Sequence, residues 1–296
     1  MLLGRFNRVK RKSPSCRTLW KAAEGRRLPA GTSSGLLSCM ESRRFDLTGK
    51  TALITGAGRG IGRAIARALA EHGADVILVA RSAEQLEIAA REIAGGTGRH
   101  AWTLAFDLAK VDGVERLFCD AVEVAGGVEI LVNCVGTTVR KPTEDLSLED
   151  FRRVMDVNLT SALVLSQAFC GHCRSADKPG RILNIGSLAC HAARPTIASY
   201  TCSKMGLLGL TKTLAVEWAS YGINVNAIGP GYIATELTAP LRKDPEFDRW
   251  VLAKTPLGRW GTPEDLVGVA VLLASKAGDF ITGQIFYVDG GWTALV

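Results

Sequence analysis

The sequence has few aromatic residues, few histidines and no long hydrophobic run, and each shortage excludes a class of protein. Aromatic residues make up 6% of the 296 residues, and only four histidines are present. No second Cys/His pair is spaced to complete a tetrahedral zinc site. We find no apolar run long enough to cross a bilayer and no leader with an apolar centre. The sequence therefore predicts neither a metal site nor a membrane partner.

Positive charge is abundant, but it is confined to one end of the chain. The net charge is +7, and residues 1–39 contain nine Lys or Arg against the single acid Glu24. That stretch carries +8, so residues 40–296 sum to −1. Because a near-neutral body has no basic stripe to follow a phosphate backbone, we expect no nucleic-acid partner for it.

The basic stretch, residues 1–39, is open to three interpretations. It is rich in Ser, Gly and Pro, which favours a disordered extension or a start assigned too early, with Met40 as the natural beginning. It also has the composition of a mitochondrial transit peptide. A third interpretation is a segment that binds an acidic surface such as a nucleic acid. The first interpretation predicts a cytoplasmic protein and the second a mitochondrial one.

Eight cysteines are present, and their pattern favours reduced thiols. Cys134, Cys190 and Cys202 fall in apolar or motif positions, as core thiols do in a reducing compartment. Cys170-Gly-His-Cys173 has the spacing of a redox motif. It lies at the end of a predicted helix, however, where the helix dipole does not lower a thiol pKa. We therefore expect these two cysteines to be structural.

From Lys50 onward, apolar runs alternate with amphipathic stretches. This alternation predicts a single α/β domain over residues 40–296, with a Rossmann-like, doubly wound parallel sheet of about seven strands and helices on both faces. The predicted strands are 52–55, 76–79, 103–106, 130–132, 182–185, 224–228 and 285–288. The predicted helices are 61–72, 83–93, 111–125, 148–173, 199–221 and 263–274. Ligands of such sheets bind at the carboxyl ends of the strands.

A glycine-rich turn joins the first predicted strand to the first helix. Residues 51–62 read Thr-Ala-Leu-Ile-Thr-Gly-Ala-Gly-Arg-Gly-Ile-Gly. Because glycine has no Cβ, a phosphate can approach the backbone closely, and the free N–H groups of a helix start attract it. The turn therefore predicts a dinucleotide site. The contacts are expected from Gly56, Arg59, Gly60, Ile61 and Gly62.

The end of the second strand indicates which dinucleotide binds. An acid at this point would hold the 2′-hydroxyl of the adenosine ribose, but the chain has Ala80 followed by Arg81. Arg81, together with Arg59 of the glycine turn and the hydroxyl of Ser82, suits a 2′-phosphate. We therefore favour NADP(H), and NAD(H) remains possible with Arg81 as a solvated loop residue.

Tyr200 and Lys204 are four residues apart, so they lie on one face of a predicted helix. A phenol has a pKa near 10, and a neighbouring ammonium lowers that pKa by stabilising the phenolate. Tyr200 would then exchange a proton with an alcohol or carbonyl oxygen while hydride moves at carbon. Ser187, at the end of the fifth strand, would hydrogen-bond the same oxygen.

These motifs occur in the order found in the short-chain dehydrogenase/reductase family, which residues 45–296 resemble. Asn133-Cys-Val-Gly136 and Asn158 match further family positions, although Cys134 and Val135 depart from the usual residues. The resemblance implies a nicotinamide-dependent oxidoreductase acting on CH–OH groups, a homodimer or homotetramer, and a mobile substrate lid over residues 239–260. The implied catalytic residues are Asn158, Ser187, Tyr200 and Lys204. The further implied cofactor contacts are Asp107, Leu108, Asn133, Gly136, Tyr200, Lys204, Pro230, Gly231, Ile233 and Thr235.

Two arginines flank the proposed reaction centre and bear on the substrate. Arg140 and Arg194 follow the fourth and fifth strands, where a guanidinium can grip a carboxylate. Together with the run Thr255-Pro-Leu-Gly-Arg-Trp-Gly, their positions resemble those in gluconate 5-dehydrogenases and related sugar-acid or polyol dehydrogenases. We therefore expect a small polyhydroxy acid to contact Arg140, Ser187, Arg194 and Tyr200. The alternative is that both arginines are salt-bridge partners at the surface or at an interface.

Two other functions are compatible with these motifs. A 3-oxoacyl-carrier-protein reductase shares every motif above and would need a basic face for its acidic carrier. A non-catalytic NADP-binding scaffold would share the glycine turn, but it has no need of the Tyr200–Lys204 pair. A test of turnover separates the scaffold from the two enzymes.

Overall fold

Seven parallel strands form one sheet in the computed structural model, which describes residues 44–295. The order across the sheet is β3-β2-β1-β4-β5-β6-β7. The strands are β1 Thr51–Thr55, β2 Asp75–Ala80, β3 Ala101–Ala105, β4 Ile130–Asn133, β5 Gly180–Ile185, β6 Ile223–Pro230 and β7 Ile285–Val288. The predicted doubly wound parallel sheet is confirmed. The predicted extension, residues 1–39, lies outside the described residues.

Helices cover both faces of this sheet. The α-helices are α1 Gly60–Glu71, α2 Ala83–Thr97, α3 Val114–Ala125, α4 Leu148–Met155, α5 Ser161–Ala176, α6 Ala198–Glu217, α7 Ala239–Arg242, α8 Pro245–Lys254 and α9 Val267–Ala274. Neighbouring residues of a strand point to opposite faces, so Leu53 joins one apolar core and Ile54 the other. Helices α1, α2 and α9 close the core of Ile54, and α3, α5 and α6 close the core of Leu53.

The chain order places a crevice beside the first strand. From β1, one half of the sheet runs to β2 and β3 and the other half to β4 and beyond. The loops that follow β1 and β4 therefore leave in opposite directions and open a gap at the carboxyl ends. This gap is where the glycine turn lies.

The longest predicted helix is interrupted by a π-helical turn that its sequence does not reveal. Helices α4 and α5 are joined by a π-helical turn, Asp156–Thr160, and they form one continuous helix, Leu148–Ala176. This helix is long and apolar enough to cross a membrane by length and composition, so our expectation that no segment would be is wrong. Its apolar side is used within the fold, because Leu165 and Phe169 are fully buried in the core.

The two cysteines with redox spacing lie on the buried side of α5. Cys170 and Cys173 are both free. Burial raises the pKa of the Cys173 thiol to about 12 and also raises the pKa of Cys170. Because the thiolate is the reactive form, these pKa directions oppose disulfide-exchange chemistry and support a structural role.

Candidate active site

The glycine turn brings two backbone segments into direct contact. Gly56 and Gly60 have φ angles of +70° and +56°, which side chains other than glycine rarely adopt. A Cβ on Gly62 would lie 2.4 Å from the carbonyl oxygen of Gly56. The start of α1 therefore packs on the turn itself, and any side chain at Gly62 would force the two apart.

Helix α1 begins with its backbone donors uncovered by side chains. The N-cap residue, Arg59, is extended and makes no side-chain capping bond, and the first turn contains no acid. The first N–H groups of a helix have no intrahelical acceptor, and the helix dipole is positive at this end. The turn thus offers what a pyrophosphate needs, so the chain fits the dinucleotide that the sequence predicts.

A cleft of about 840 Å³ runs from this turn to the ends of β5 and β6. Most of the residues predicted to bind the cofactor line it. They are Gly56, Arg59, Gly60, Ile61, Gly62, Arg81, Asp107, Leu108, Gly136, Tyr200, Lys204, Pro230, Gly231, Ile233 and Thr235. Ser187 lines the same cleft. The structure therefore brings these cofactor residues together with three of the predicted catalytic residues, Ser187, Tyr200 and Lys204, in one continuous space.

Asn133 is the exception among the predicted cofactor residues. It does not line the cleft, and its Nδ2 donates to Oδ1 of Asn184 at 2.9 Å inside the sheet. Asn184 in turn donates to the Thr211 hydroxyl at 2.9 Å. Asn133 therefore belongs to a buried polar network that links β4, β5 and α6. Its side chain bonds within this network and does not contact the cofactor cleft.

Ser82, whose hydroxyl the sequence places beside Arg81, lines the cleft and also accepts a hydrogen bond from the Gln85 N–H at 3.3 Å, which caps α2. Other cleft residues were not identified from the sequence. Thr137, Glu236 and Thr238 carry no comparable signal, because their positions depend on how the loops after β4 and β6 turn back over the cleft.

Asp107 has a local partner as well as a place in the cleft. Its carboxylate accepts a hydrogen bond from the Ala109 N–H at 3.1 Å. The carboxylate thereby closes the turn that precedes α3, while the residue also lines the cleft.

Lys204 is buried beneath the cleft and held by the backbone. Its Nζ donates to the carbonyl oxygen of Ile185 at 2.7 Å and lies 5.8 Å from the centroid of the Tyr200 ring. A Cβ on Gly136 would lie 3.6 Å from the same Nζ, so a glycine there leaves room beside the ammonium. Tyr200 and Lys204 thus share one face of α6, as their spacing predicts.

The pKa of Tyr200 differs from the sequence-based expectation. Burial raises the pKa of the phenol, and the hydrogen bond with the Ser187 hydroxyl opposes this only in part. Burial also lowers the pKa of the Lys204 ammonium. The expected depression of the phenol pKa by Lys204 is therefore wrong for the chain by itself, because the cost of removing the phenolate from water outweighs its neighbours.

Asn158 lies in the π-helical turn and fixes the loop that follows β4. Its Oδ1 accepts from the Thr137 N–H at 2.8 Å, and its Nδ2 donates to the Thr137 carbonyl at 2.9 Å and to the Ser203 hydroxyl at 2.9 Å. Asn158 lies outside the cleft lining and ties Thr137, which lines the cleft, to α6. Its predicted catalytic role stays a prediction.

Arg194 is packed into the segment predicted as a substrate lid. Its Nη1 donates to the Tyr232 hydroxyl at 2.7 Å, and its Cζ lies 4.5 Å from the Trp250 ring centroid and 4.7 Å from that of Phe247. Trp292, near the end of the chain, contacts both Tyr232 and Trp250. We call these five side chains the lid cluster. Helices α7 and α8 lie within the segment predicted as the lid, residues 239–260.

Arg140 lies outside the cleft lining and has no ionic partner among the described residues. Burial is the main influence on the pKa of both Tyr200 and Tyr232 and raises it, and the positive charge of Arg140 opposes that rise in both. Within residues 44–295, neither Arg140 nor Arg194 forms a salt bridge, so the surface ion pairs considered as an alternative are not seen in this part of the chain.

An open helix start at a sheet crossover, with Tyr200 and the buried Lys204 at the far end of the same cleft, defines a dinucleotide-dependent oxidoreductase. The comparisons agree with this class. A family model described as enoyl-(acyl carrier protein) reductase matches residues 56–293. The chain belongs to the short-chain dehydrogenase/reductase family, whose members act on CH–OH groups with a nicotinamide cofactor.

Relatives in this family are similar along nearly their whole length. Gluconate 5-dehydrogenase of Gluconobacter oxydans is 41% identical over 253 residues, which cover 84% of this chain and 96% of that protein. 2-Dehydro-3-deoxy-D-gluconate 5-dehydrogenase of Escherichia coli is 40% identical and covers 84% and 98%. A crystal structure of a gluconate 5-dehydrogenase from Burkholderia cenocepacia, in complex with NADP and tartrate, has a TM-score of 0.82 and 40% identity, with 86% and 100% covered.

Proposed function

We propose that this protein interconverts a secondary alcohol and a ketone of a sugar acid, with NADP(H) as the hydride carrier. The observation that carries the proposal is the single cleft that joins the glycine turn to Ser187, Tyr200 and Lys204. When bound, the nicotinamide supplies or accepts the hydride. The side chains of the protein transfer the protons.

The proton chemistry follows from the contacts around Tyr200. In the reducing direction, the phenol gives its proton to the carbonyl oxygen as that oxygen gains negative charge. Ser187 stands within hydrogen-bond reach of the phenol and donates to the same oxygen. Lys204, held by the Ile185 carbonyl, keeps a positive charge beside the phenolate that results.

The substrate class is inferred from charge near this centre and from the relatives. The positive charge of Arg140 opposes the rise in the pKa of both Tyr200 and Tyr232. Its guanidinium has no ionic partner in the described part of the chain, so it is available to bind a substrate carboxylate. The names of the relatives refer to gluconate and to 2-dehydro-3-deoxy-D-gluconate, and the Burkholderia structure contains tartrate, itself a hydroxy acid.

The preference for NADP(H) is supported by the ribose side of the cleft. Ala80 supplies no carboxylate to repel a 2′-phosphate, and both Arg59 and Arg81 line the cleft there. The Burkholderia relative contains NADP. A 2′-phosphate would therefore add attraction that NAD(H) cannot make.

The proposed reaction is tested with the purified full chain. NADPH and NADH oxidation is followed with 5-keto-gluconate, a neutral ketose of the same length and an acetoacetyl thioester. Fast turnover of the keto acid with NADPH, and at least about 10-fold weaker turnover of the neutral ketose, supports the proposal. Preference for the thioester would instead support the carrier-protein reductase, and cofactor binding without turnover would support the scaffold.

Assembly and location are part of the same proposal. We infer a homodimer or homotetramer, since Val216 on α6 and Leu148 on α4 are apolar and 81% and 59% exposed. We infer a reducing compartment, the cytoplasm, in keeping with the free cysteines of the described residues. Light scattering tests the assembly, and the N-terminus of the mature protein tests whether residues 1–39 are a transit peptide.

A further inference from the structure

An ion pair crosses the mouth of the cofactor cleft. Arg59, in the glycine turn, donates from Nη1 to the Glu236 carboxylate, in the loop that follows β6. Both residues line the cleft, and their side chains are 52% and 64% exposed. The sequence separates them by 177 positions, so this contact exists only because the fold brings the two loops together.

Arg59 stands between the two walls of the cleft. On one side of it, a Cβ on Gly58 would lie 3.2 Å from Cβ of Gln85, at the start of α2. On the other side, a Cβ on Gly60 would lie 3.6 Å from Thr235, in the loop after β6. The first wall also contains Arg81, and the second contains Glu236. In this structure the Arg59 guanidinium is at the second wall.

The loop that carries Glu236 is itself fixed by hydrogen bonds. The Thr235 N–H donates to the Thr238 hydroxyl at 3.0 Å, and that hydroxyl donates to the Ile233 carbonyl at 2.6 Å. The Thr238 N–H closes the turn by donating to the Thr235 carbonyl at 3.2 Å. The carboxylate is therefore presented at a defined place on the cleft edge.

We propose that Glu236 is a cofactor-selectivity residue that acts by competing with the 2′-phosphate of NADP(H) for Arg59. The proposal rests on the proposed use of NADP(H). In the free chain, Glu236 holds the guanidinium at the far wall from Arg81. A 2′-phosphate carries about −1.5 to −2 charges at neutral pH and draws Arg59 away from Glu236. NAD(H) lacks this group and leaves the pair intact.

The competition affects one cofactor and not the other. Breaking an exposed ion pair costs little, so the presence of Glu236 is expected to weaken NADPH binding by about 2- to 5-fold. The effect is electrostatic between exposed groups, so it should shrink as the salt concentration rises and the Debye length falls below about 8 Å. NADH has no 2′-phosphate, so its affinity should not depend on whether Arg59 is paired with Glu236.

The test is a binding titration, which does not depend on turnover. Dissociation constants for NADPH and NADH are measured by cofactor fluorescence for the wild-type chain, Glu236→Gln, Glu236→Asp, Arg59→Gln and the Arg59→Gln/Glu236→Gln double variant. The matched control is Glu92→Gln, because Glu92 forms a similar exposed ion pair with Arg63 and lines no part of the cleft.

The expected result is selective. Glu236→Gln tightens NADPH binding by about 2- to 5-fold and leaves NADH unchanged, Glu236→Asp keeps the wild-type ratio, and Glu236→Gln has no effect once Arg59 is Gln. An unchanged NADPH/NADH ratio in Glu236→Gln, or equal weakening of both cofactors, would overturn the proposal. Tighter NADH than NADPH in the wild type, together with no effect of Arg59→Gln, would instead refute the NADP(H) assignment on which it rests.

Discussion

The cofactor end of the site and its predicted substrate end are built in different ways. At the cofactor end, the glycine turn and the start of α1 supply backbone groups from residues 56–62, and the contact between Gly56 and Gly62 leaves no space for a side chain. At the predicted substrate end, the lid cluster lies outside the cleft lining and consists of side chains from distant segments, with Arg194 stacked on Trp250 and bonded to Tyr232. The cofactor end is fixed by local chain geometry, whereas the lid cluster depends on long-range packing.

This difference suggests that cofactor binding and substrate choice rest on separate parts of the molecule. A turn made of backbone can change little without losing the phosphate site. The lid cluster consists of side chains, so we expect its substitution to alter which substrate fits and to leave cofactor binding unchanged. The predictions below test whether the two ends are separable in this way.

Lys204→Met is expected to have the largest effect on turnover. The substitution removes the buried positive charge beside Tyr200 and leaves the Ile185 carbonyl without its 2.7 Å partner. We expect kcat to fall by about 10²- to 10⁴-fold, the range found for lost proton-transfer groups. The control is Lys212→Met, on the exposed side of the same helix. Equal kcat values for the two variants would show that Lys204 has no part in the chemistry.

Gly62→Ala tests the cofactor end. The new Cβ would meet the Gly56 carbonyl at 2.4 Å, so the turn and α1 must separate. We expect a loss of about 1–3 kcal/mol in the free energy of unfolding and at least about 10-fold weaker NADPH binding. Gly95→Ala, in α2, has open space around its Cβ and should stabilise the protein by about 0.5–1 kcal/mol without affecting binding. Similar behaviour of both variants would mean that the close contact is not required.

Arg194→Met tests the substrate end. The guanidinium loses its bond to Tyr232 and its stacking on Trp250, so the lid cluster loosens. We expect KM for the keto acid to rise by about 10-fold while the Kd for NADPH stays within about 2-fold. Arg242→Met removes a guanidinium 5.9 Å from Trp260, at the edge of the same lid, and serves as the control. A matching loss of NADPH affinity in Arg194→Met would show that the two ends are coupled.

Asp265→Asn is expected to have the smallest effect, a change in the free energy of unfolding. It removes the carboxylate that binds Arg259, at the end of the predicted lid segment. The Asp265 carboxylate accepts two hydrogen bonds from Arg259, at 2.7 and 2.8 Å, and this lowers its pKa from 3.8 to about 2. A lowered folded-state pKa means that the charged form stabilises the fold above about pH 4, and that this contribution is lost as the pH falls towards 2. We expect the variant to be less stable by about 0.5–1 kcal/mol at pH 7, with the difference shrinking below pH 4. Urea unfolding at several pH values measures this, and a difference independent of pH would contradict it.

Much of the fold and of the cofactor end could be predicted because the signals are local. Strand, turn and helix follow one another within residues 51–71, and the Tyr200–Lys204 pair needs only the helical repeat. Boundaries were less accurate where the chain changes helix type. The π-helical turn around Asn158 depends on its bonds to Thr137 and Ser203, which come from other segments.

The substrate end could not be predicted for the same reason. Arg194 was expected to face a substrate, but the sequence does not show that Tyr232, Phe247 and Trp250 come from other segments to surround it. Nor does the spacing of Tyr200 and Lys204 reveal how deeply the phenol is buried, and burial determines the direction of its pKa shift. These properties depend on how much water each group loses in the assembled fold.

The most direct test of the account is Tyr200→Phe, with cofactor binding and turnover measured on the same preparation. The phenylalanine ring keeps the packing and removes only the hydroxyl that transfers the proton. We expect NADPH to bind with a Kd within about 3-fold of wild type, while ketone reduction falls by about 10²- to 10⁴-fold. Undiminished reduction by a variant that still binds NADPH would contradict the assignment of Tyr200 as the proton donor.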